Sequence, residues 1–315
     1  MSRASTDNFI VTREYQRFAE FCEACLRYRY IGLCYGSLGV GKTLSARRYA
    51  NWDRMEAFAP LPVYRSDAAF QEMATVLYTP SVTNTPSQIE RDIGSLRYKL
   101  SNFYLEPLRR EEEAQRERVI QYERQRKRER ETLLFQHDWR SGPLPEEPPS
   151  AEPTFEEIGL AYLSKRRQIQ DPTRLVIVDE ADRLRMTSLE QLRSLFDMGD
   201  IGVFLLGMPG LEKRLIRYPQ FYSRVGFVHE FRPLTIVEVR SLLEQRWKPT
   251  EVGQSLEGIT EEEALGAIAR ITGGNFRLLH RLLSQIARVM EINGLPRVTL
   301  QVVDAARESL VIGTV

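Results

Sequence analysis

The sequence predicts an α/β fold in which helices cover both faces of a parallel sheet and a small helical lid follows. Short apolar runs that suit buried strands alternate with helical segments over the first three quarters of the chain. The apolar run 30–35 leads directly into a glycine-rich loop and then into a helix. From Thr235 onward only helical segments follow. We therefore assign residues 1–234 to the α/β core and residues 235–315 to the lid.

The glycine-rich loop, residues 36–43, fills every fixed position of the phosphate-binding pattern G-x-x-x-x-G-K-[ST]. Its glycines let successive backbone N–H groups turn inward around phosphate oxygens. We expect Lys42 to reach the β and γ phosphates of ATP, and the Thr43 hydroxyl to ligate Mg²⁺ at the start of the next helix. A plain glycine-rich turn is the alternative, which the order strand, loop, helix disfavours. The predicted nucleotide-binding residues are Gly36, Ser37, Gly39, Val40, Gly41, Lys42, Thr43 and Leu44.

A pair of acidic residues follows the apolar run Leu175–Val178. Its mostly β-branched residues predict a central strand of a parallel sheet, and open α/β sheets bind ligands at the carboxyl ends of such strands. This is the Walker B pattern. We expect Asp179 to hold Mg²⁺ through its water shell, and Glu180 to be the base that polarises the attacking water. Acids that merely begin the next turn are the alternative, which the glycine-rich loop in the same chain disfavours.

Composition limits the classes of partner and compartment. Lys plus Arg number 44 and Asp plus Glu number 43, so any contact with a polyanion must come from a local patch. We find neither a signal peptide nor an apolar run of about 18 residues, and expect neither secretion nor membrane insertion. The cysteines Cys22, Cys25 and Cys34 are too few for a disulfide framework or a four-ligand zinc site. We expect a cytoplasmic protein.

Caps and apolar periodicity predict the remaining elements. We expect Thr12 to cap a helix that ends near Arg29. A Thr followed three residues later by Glu, at 235–238 and again at 260–263, predicts capping boxes that begin two lid helices. The other predicted elements, in chain order, are a strand at 62–66, helices at 68–77 and 86–105, a helix at 188–198, a strand at 201–206, and helices at 276–292 and 300–310.

A charged helical insertion with a proline-rich linker interrupts the core at about residues 106–155. Between Arg109 and Glu131 it holds nine Lys or Arg and seven Asp or Glu in 23 residues, so it lacks an apolar face to bury. Oppositely charged pairs four residues apart favour a solvated helix. Five cations between Arg124 and Arg130 leave three interpretations open: a helix without a partner, a contact with protein, or a contact with DNA.

These motifs resemble those of the AAA+ ATPases over roughly residues 10–312, with the charged insertion outside. Two further positions match: Arg224 in Tyr-Ser-Arg-Val looks like the family's arginine finger, and Arg277 in Gly-Asn-Phe-Arg looks like its sensor 2. The resemblance implies ATP hydrolysis in a homo-oligomer, where Arg277 acts on the phosphates of its own subunit and Arg224 on those of a neighbour. Arg214 and Arg217 compete with Arg224 for the finger role, and an ordinary surface cation is the alternative for each arginine.

One position departs from the family pattern. Sensor 1 is commonly a polar residue at the end of the strand after Walker B, whereas here Gly207 is followed by Met208. A methionine side chain cannot orient a water by donating a hydrogen bond. We therefore expect slow hydrolysis.

Within the AAA+ proteins, residues 178–184 (VDEADRL) and 206–211 (LGMPGL) look most like transposition regulators of the TnsC, TniB and MuB type. That resemblance implies ATP-dependent rings or helical filaments on duplex DNA, mostly without sequence preference. Such assemblies mark a target site and recruit or activate a transposase, with or without a targeting protein, and hydrolysis disassembles them. Because such DNA contacts fall mainly on phosphates, Arg91, Arg97 and Lys99 are candidates, with a solvated helix face as the alternative.

A function of another class stays open. A signalling or secretion-linked AAA+ ATPase would act on a protein partner without DNA and would use the charged insertion as a docking arm. Stimulation of turnover by duplex DNA distinguishes the two. A metabolic P-loop kinase has less support, because no second substrate site is visible and Arg224 and Arg277 would have no role.

Overall fold

The computed structural model describes residues 9–57, 73–137, 142, 146, 150, 152–244 and 262–310. The chain divides into two compact units. The first falls within Met1–Ala57, Ala74–Leu96 and Thr173–Val315, and the second within Phe58–Met73 and Arg97–Pro172. None of the described helices combines the length and the hydropathy needed to span a bilayer.

A parallel sheet forms the centre of the first unit. In the part of the chain that is described it has five strands in the order β2-β3-β4-β1-β5. The strands are β1 (Ile31–Tyr35), β2 (Thr75–Tyr78), β3 (Leu175–Val178), β4 (Gly202–Gly207) and β5 (Val225–Glu230). Because β4 pairs in parallel with both β1 and β3, the glycine-rich loop after β1 and Asp179 after β3 leave the sheet at the same edge.

Helices pack around this sheet, so the predicted α/β fold is confirmed. The helices of the core are α1 (Arg13–Tyr28), α2 (Lys42–Tyr49), α3 (Trp52–Ala57), α6 (Met186–Met198), α7 (Leu211–Ile216) and α8 (Pro219–Tyr222). Thr12 caps α1 as predicted, since its hydroxyl accepts a hydrogen bond from the backbone N–H of Tyr15 at 3.2 Å. The fully buried Phe18 of α1 packs edge-on against Phe204 of β4, with ring centroids 5.4 Å apart.

Four further helices of the first unit follow the sheet. They are α9 (Ile236–Glu244), α10 (Glu262–Thr272), α11 (Phe276–Asn293) and α12 (Leu300–Glu308). The predicted capping box of α9 is present: Thr235 N donates to Glu238 Oε2 at 2.9 Å, and Glu238 N donates to Thr235 Oγ1 at 3.3 Å. The predicted capping box at 260–263 begins outside the described residues. These helices share their own apolar cluster, which includes Val239, Leu242, Ile268, Leu279, Leu282, Ile286 and Val303.

The charged insertion belongs to helix α4 (Pro86–Gln136), whose residues from Arg97 onward lie in the second unit. The predicted end of this helix at 105 is wrong. The helix continues through the charged residues to Gln136 and is 51 residues long. Within the charged segment, Val119 is the one residue of the described range 109–131 that is buried. Val119 of α4 and Ile158 of α5 (Phe155–Gln168) are 4% and 2% exposed. Lys165 of α5 pairs with Glu111 of α4 at 2.7 Å. The proline-rich linker lies largely outside the described residues.

The end of one predicted helix is a strand. The sequence predicts a helix at 68–77, but Thr75–Tyr78 form β2, paired in register with Leu175–Val178 of β3. Short apolar runs do not separate strand from helix by periodicity, and here the β-branched and aromatic residues with their pairing on β3 decide. Residues 68–72 and the predicted strand at 62–66 lie outside the described residues.

Candidate functional site

The glycine-rich loop adopts backbone angles that exclude other residues. Gly39 and Gly41 have φ of +80° and +109°, in the left-handed region. Gly36 meets a different constraint, because a Cβ atom there would lie 2.3 Å from the carbonyl oxygen of Phe231. The loop after β1 therefore has the backbone conformation that the predicted cradle requires, and α2 begins directly after it with Gly41 as its cap. Since Gly41 supplies no side-chain cap, the first N–H groups of α2 can bind an anion.

Lys42 lies against the loop that precedes it. Its Nζ donates to the carbonyl oxygens of Gly36 at 2.6 Å and Ser37 at 2.8 Å. Burial lowers the pKa of Lys42, while Cys34, Asp179 and Asp182 act to raise it. The cation is thus fixed within the loop, where it suits the charge of a phosphate.

The two predicted magnesium ligands are in contact. Thr43 Oγ1 donates to Asp179 Oδ2 at 2.7 Å, and Asp179 is only 4% exposed. The other carboxylate oxygen of Asp179 accepts a hydrogen bond from the N–H of Glu180 at 2.9 Å. A hydroxyl and a carboxylate at a phosphate site are the oxygen donors that Mg²⁺ uses, so these residues fit the ion.

Glu180 follows Asp179 in a left-handed conformation, with φ of 51° and ψ of 41°. Its carboxylate forms an ion pair with Arg183, which also donates to the carbonyl oxygen of Pro80 at 3.3 Å. Arg183 is the last residue of the short 3₁₀ turn after Walker B. Sequence reasoning did not predict this partner of Glu180, although a charge pair three residues apart in a turn was visible.

A polar group lies beside the end of β4 despite the methionine there. Asp182 Oδ1 accepts a hydrogen bond from the N–H of Met208 at 3.1 Å. A Cβ on Gly207 would lie 3.1 Å from the same oxygen and 2.5 Å from Leu211. Asp182 was missed by sequence reasoning, and the acid-rich Walker B segment was the signal that could have suggested it.

The four helices that follow the sheet, predicted to be the lid and called so here, reach the glycine-rich loop through the start of α11. The backbone N–H of Arg277 donates to the carbonyl oxygen of Gly39 at 3.1 Å, and the side-chain amide of Asn275 donates to that of Leu38 at 2.6 Å. The exposed Arg277, the second residue of α11, therefore lies beside the predicted phosphate site. It lies near enough to Lys42 that, with burial, its charge acts to lower the pKa of Lys42.

Arg224 lies at the opposite edge of the sheet. Its carbonyl oxygen accepts a hydrogen bond from Ile31 N at 3.0 Å, beside the start of β1, whereas the glycine-rich loop follows the end of β1. Its guanidinium pairs with both carboxylate oxygens of Asp197, at 2.6 and 2.8 Å. The competing Arg214 donates to the carbonyl oxygen of Asp182 at 2.9 Å and to that of Leu184.

Comparison with known proteins identifies the family. Residues 26–215, more than half of the chain, match the model of a family described as AAA domain. The chain belongs to the AAA domain family. A protein of Staphylococcus aureus described as a potential ATP-binding protein is 39% identical over 307 residues, which are 97% of this chain and 97% of that protein.

Solved structures that resemble this AAA protein agree on the fold. Cdc6p from Pyrobaculum aerophilum superposes with a TM-score of 0.55 at 16% identity, covering 100% of this chain and 71% of that one. The RuvB Holliday junction branch migration motor of Thermotoga maritima superposes with a TM-score of 0.52 at 14% identity, covering 98% of this chain and 72% of that one. With the glycine-rich loop and the Walker B acids in place, the protein is a P-loop ATPase that binds ATP.

The three candidate DNA contacts of this AAA protein lie on α4. Arg91, in the first unit, is exposed and Lys99, in the second, is half-buried. Arg97 pairs with Asp171 at 2.7 Å within the second unit. The guanidinium of Arg97 is thus occupied by an acid of its own unit.

Proposed function

We propose that this AAA ATPase is an ATP-controlled switch on duplex DNA that regulates transposition. It oligomerises as a ring or helical filament on DNA with little sequence preference, and marks the target site. It recruits or activates a transposase there, with or without a targeting protein, and ATP hydrolysis drives its disassembly. The likeness of segments 178–184 and 206–211 to transposition regulators supports this reading.

The observation that carries the proposed control by assembly is the position of Arg224 relative to the glycine-rich loop. β1 runs from Ile31, beside Arg224, to Tyr35, which precedes Gly36. At about 3.3 Å per residue that strand separates the two by about 16 Å, more than an arginine side chain spans. Arg224 cannot act on phosphates bound by its own subunit. As an arginine finger it completes the site of a neighbour, so hydrolysis depends on assembly.

Each residue of the nucleotide site then has one task. Lys42 and the N–H groups at the start of α2 hold the phosphates, and Arg277 meets them from the lid. Thr43 and Asp179 hold Mg²⁺, which supplies positive charge to the phosphates when bound. Glu180 accepts a proton from the attacking water. Arg224 of an adjacent subunit stabilises the charge of the transition state.

Slow turnover suits a switch of this kind. At the end of β4 the side chain of Met208 offers no donor to a water, and the nearby polar group, Asp182, accepts from the Met208 N–H. Hydrolysis then limits how long the assembly stays on DNA. A single-turnover rate as fast as that of motor ATPases would contradict this part of the proposal.

DNA as the partner has independent support. The RuvB structure, similar in fold, is named as a branch migration motor of Holliday junctions. If Arg91 and Lys99 contact phosphates, replacing both by alanine makes the slope of log affinity against log salt less negative by about 2, since each phosphate contact contributes about −0.9. An unchanged slope would remove both residues from the interface.

The cysteines bear on the compartment. Cys22, Cys25 and Cys34 are buried free thiols, which suit the reducing cytoplasm, where we place this activity.

An alternative is a signalling or secretion-linked ATPase that acts on a protein partner without DNA. The exposed cations Arg124, Lys127 and Arg128 on α4 favour it, because an exposed charged helix offers a docking arm. Its turnover would be indifferent to duplex DNA.

The experiment that tests the proposal combines electron microscopy with mixed-subunit kinetics. Protein is imaged with linear duplex DNA, with and without a slowly hydrolysed ATP analogue, and rings or filaments that need both are expected. The Glu180→Gln variant, which keeps the finger Arg224 but lacks the base, is then mixed with the Arg224→Ala variant, which keeps the base Glu180 but lacks the finger. DNA-stimulated hydrolysis should recover in the mixture. Oligomers that ignore DNA would favour the alternative, and no recovery would remove Arg224 as the finger.

A further inference from the structure

Four successive carbonyl groups of the glycine-rich loop are occupied by donors. Lys42 Nζ takes the oxygens of Gly36 and Ser37, at 2.6 and 2.8 Å. The lid takes the next two: Asn275 Nδ2 donates to Leu38 O at 2.6 Å, and Arg277 N donates to Gly39 O at 3.1 Å. Half of this set of hydrogen bonds therefore comes from the N-cap and the first turn of α11.

These bonds fix the direction of backbone N–H groups. A trans peptide is planar, so its C=O and its N–H point in opposite directions. When Asn275 holds the carbonyl of Leu38, the N–H of Gly39 in the same peptide points away from the lid. When the Arg277 N–H holds the carbonyl of Gly39, the N–H of Val40 is fixed in the same manner. N–H groups of this loop are what cradle phosphates.

The side chain of Asn275 forms hydrogen bonds both to α11 and to the glycine-rich loop. Its Oδ1 caps α11 by accepting from Arg277 N at 3.0 Å and Leu278 N at 3.2 Å, while its Nδ2 reaches the loop. The backbones approach so closely that a Cβ on Gly39 would lie 2.5 Å from Asn275 Oδ1 and 2.8 Å from the Cβ of Arg277. One side chain thus fastens the lid helix and the loop to each other.

We propose that Asn275 is a positioning residue for the phosphates of ATP. From the lid it preorients the N–H groups of Gly39 and Val40, so that the glycine-rich loop meets the phosphates already arranged. The inference rests on the ATP site and not on DNA as partner, and therefore stands or fails independently of the transposition role.

The test removes the donor and keeps the cap. Asn275→Ser retains an oxygen that caps α11 but lacks the amide that reaches Leu38. Asn275→Asp keeps the shape and the capping oxygen and replaces Nδ2 by an acceptor. We measure binding of ADP and of inorganic tripolyphosphate by displacement of a fluorescent nucleotide. Both probes should bind about 5-fold more weakly to each variant, the usual effect of one hydrogen bond.

A control separates positioning from the stability of the lid. Thr299→Ala removes the cap of α12, where Thr299 Oγ1 accepts from Val302 N at 3.4 Å. This variant should lower the melting temperature and leave both affinities unchanged. The proposal fails if Asn275→Ser weakens ADP but not tripolyphosphate, because the lid would then act on the nucleoside alone. It also fails if both probes bind the Asn275 variants as they bind the wild type.

Discussion

Arg224 and Asp197 form a two-point ion pair, with Nε and Nη2 of the arginine 2.6 and 2.8 Å from the two carboxylate oxygens. Asp197 also accepts from Arg193 at 2.7 Å. The bond from Arg224, more than any other cause, holds the pKa of Asp197 below its usual value. The third nitrogen of the guanidinium donates to the carbonyl oxygen of Gln220. The proposed finger is therefore held in one orientation by its own subunit.

Replacing Arg224 tests its catalytic role. Arg224→Ala should lower kcat for ATP by about 10³-fold, the lower end of what arginine fingers contribute, and leave ADP affinity unchanged. Asp197→Asn keeps the arginine but loosens it, and should lower kcat by about 10-fold. Steady-state ATPase assays with duplex DNA measure both. Arg217→Ala removes an exposed neighbouring arginine as a matched control. A loss in Arg217→Ala alone would move the finger to that residue.

Replacing Lys42 should abolish ATP binding, whereas replacing Glu180 should impair hydrolysis alone. Lys42→Ala removes the cation that holds the phosphates and should abolish ATP binding. Glu180→Gln leaves the loop intact and should bind ATP normally while kcat falls by about 10²- to 10⁴-fold, as expected for loss of a general base. Equilibrium nucleotide binding and hydrolysis are measured on the same samples. The control is Glu20→Gln, at an exposed position of α1. Normal hydrolysis by Glu180→Gln would show that another group is the base.

The turn before α11 depends on Gly274. Its φ is +74°, and a Cβ there would lie 1.9 Å from the carbonyl oxygen of Leu234, whose N–H donates to Gly274 O at 3.0 Å. Gly273 has φ of +53° with open space around it. Gly273→Ala should cost about 1 kcal/mol of unfolding free energy, for the left-handed backbone alone. Gly274→Ala should cost about 3 kcal/mol or more, because backbone must also move. Urea unfolding of the two variants compares these costs. Equal midpoints would contradict the close approach of Gly274 to the carbonyl oxygen of Leu234.

Stability should fall in mild acid because of His229. This side chain is 8% exposed, and its Nε2 lies 3.5 Å from Glu14 Oε2, too far for a good hydrogen bond. Burial lowers the pKa of His229 from 6.5; Arg17 and Arg232 add to the effect, and Glu14 and Glu230 oppose it.

Since the unfolded chain takes up the proton at higher pH than the folded protein does, unfolding is favoured as pH drops below about 6.5. The free energy of unfolding, measured from pH 7.5 to 5, should decrease more steeply for wild type than for His229→Gln. Parallel curves would assign the acid sensitivity to other groups.

The sequence by itself determined the fold class of this protein and predicted its nucleotide site. A glycine-rich loop between a strand and a helix can adopt few conformations, so Gly39, Gly41, Lys42 and Thr43 could be assigned from their order alone. Asp179 followed because a buried strand ends directly before it. Local rules also located the caps at Thr12 and Thr235, since a cap involves only neighbours in the chain.

Only the tertiary structure decided which distant residues meet. It made Thr75–Tyr78 a strand by pairing it with β3, and it brought Asp197 to Arg224, Asp182 to Met208 and Asn275 to Leu38. Such contacts join residues far apart in the chain, and their free energy depends on the packing that brings them together. A single sequence records the chemistry of each partner, but the pairing exists only after the sheet and the lid have assembled.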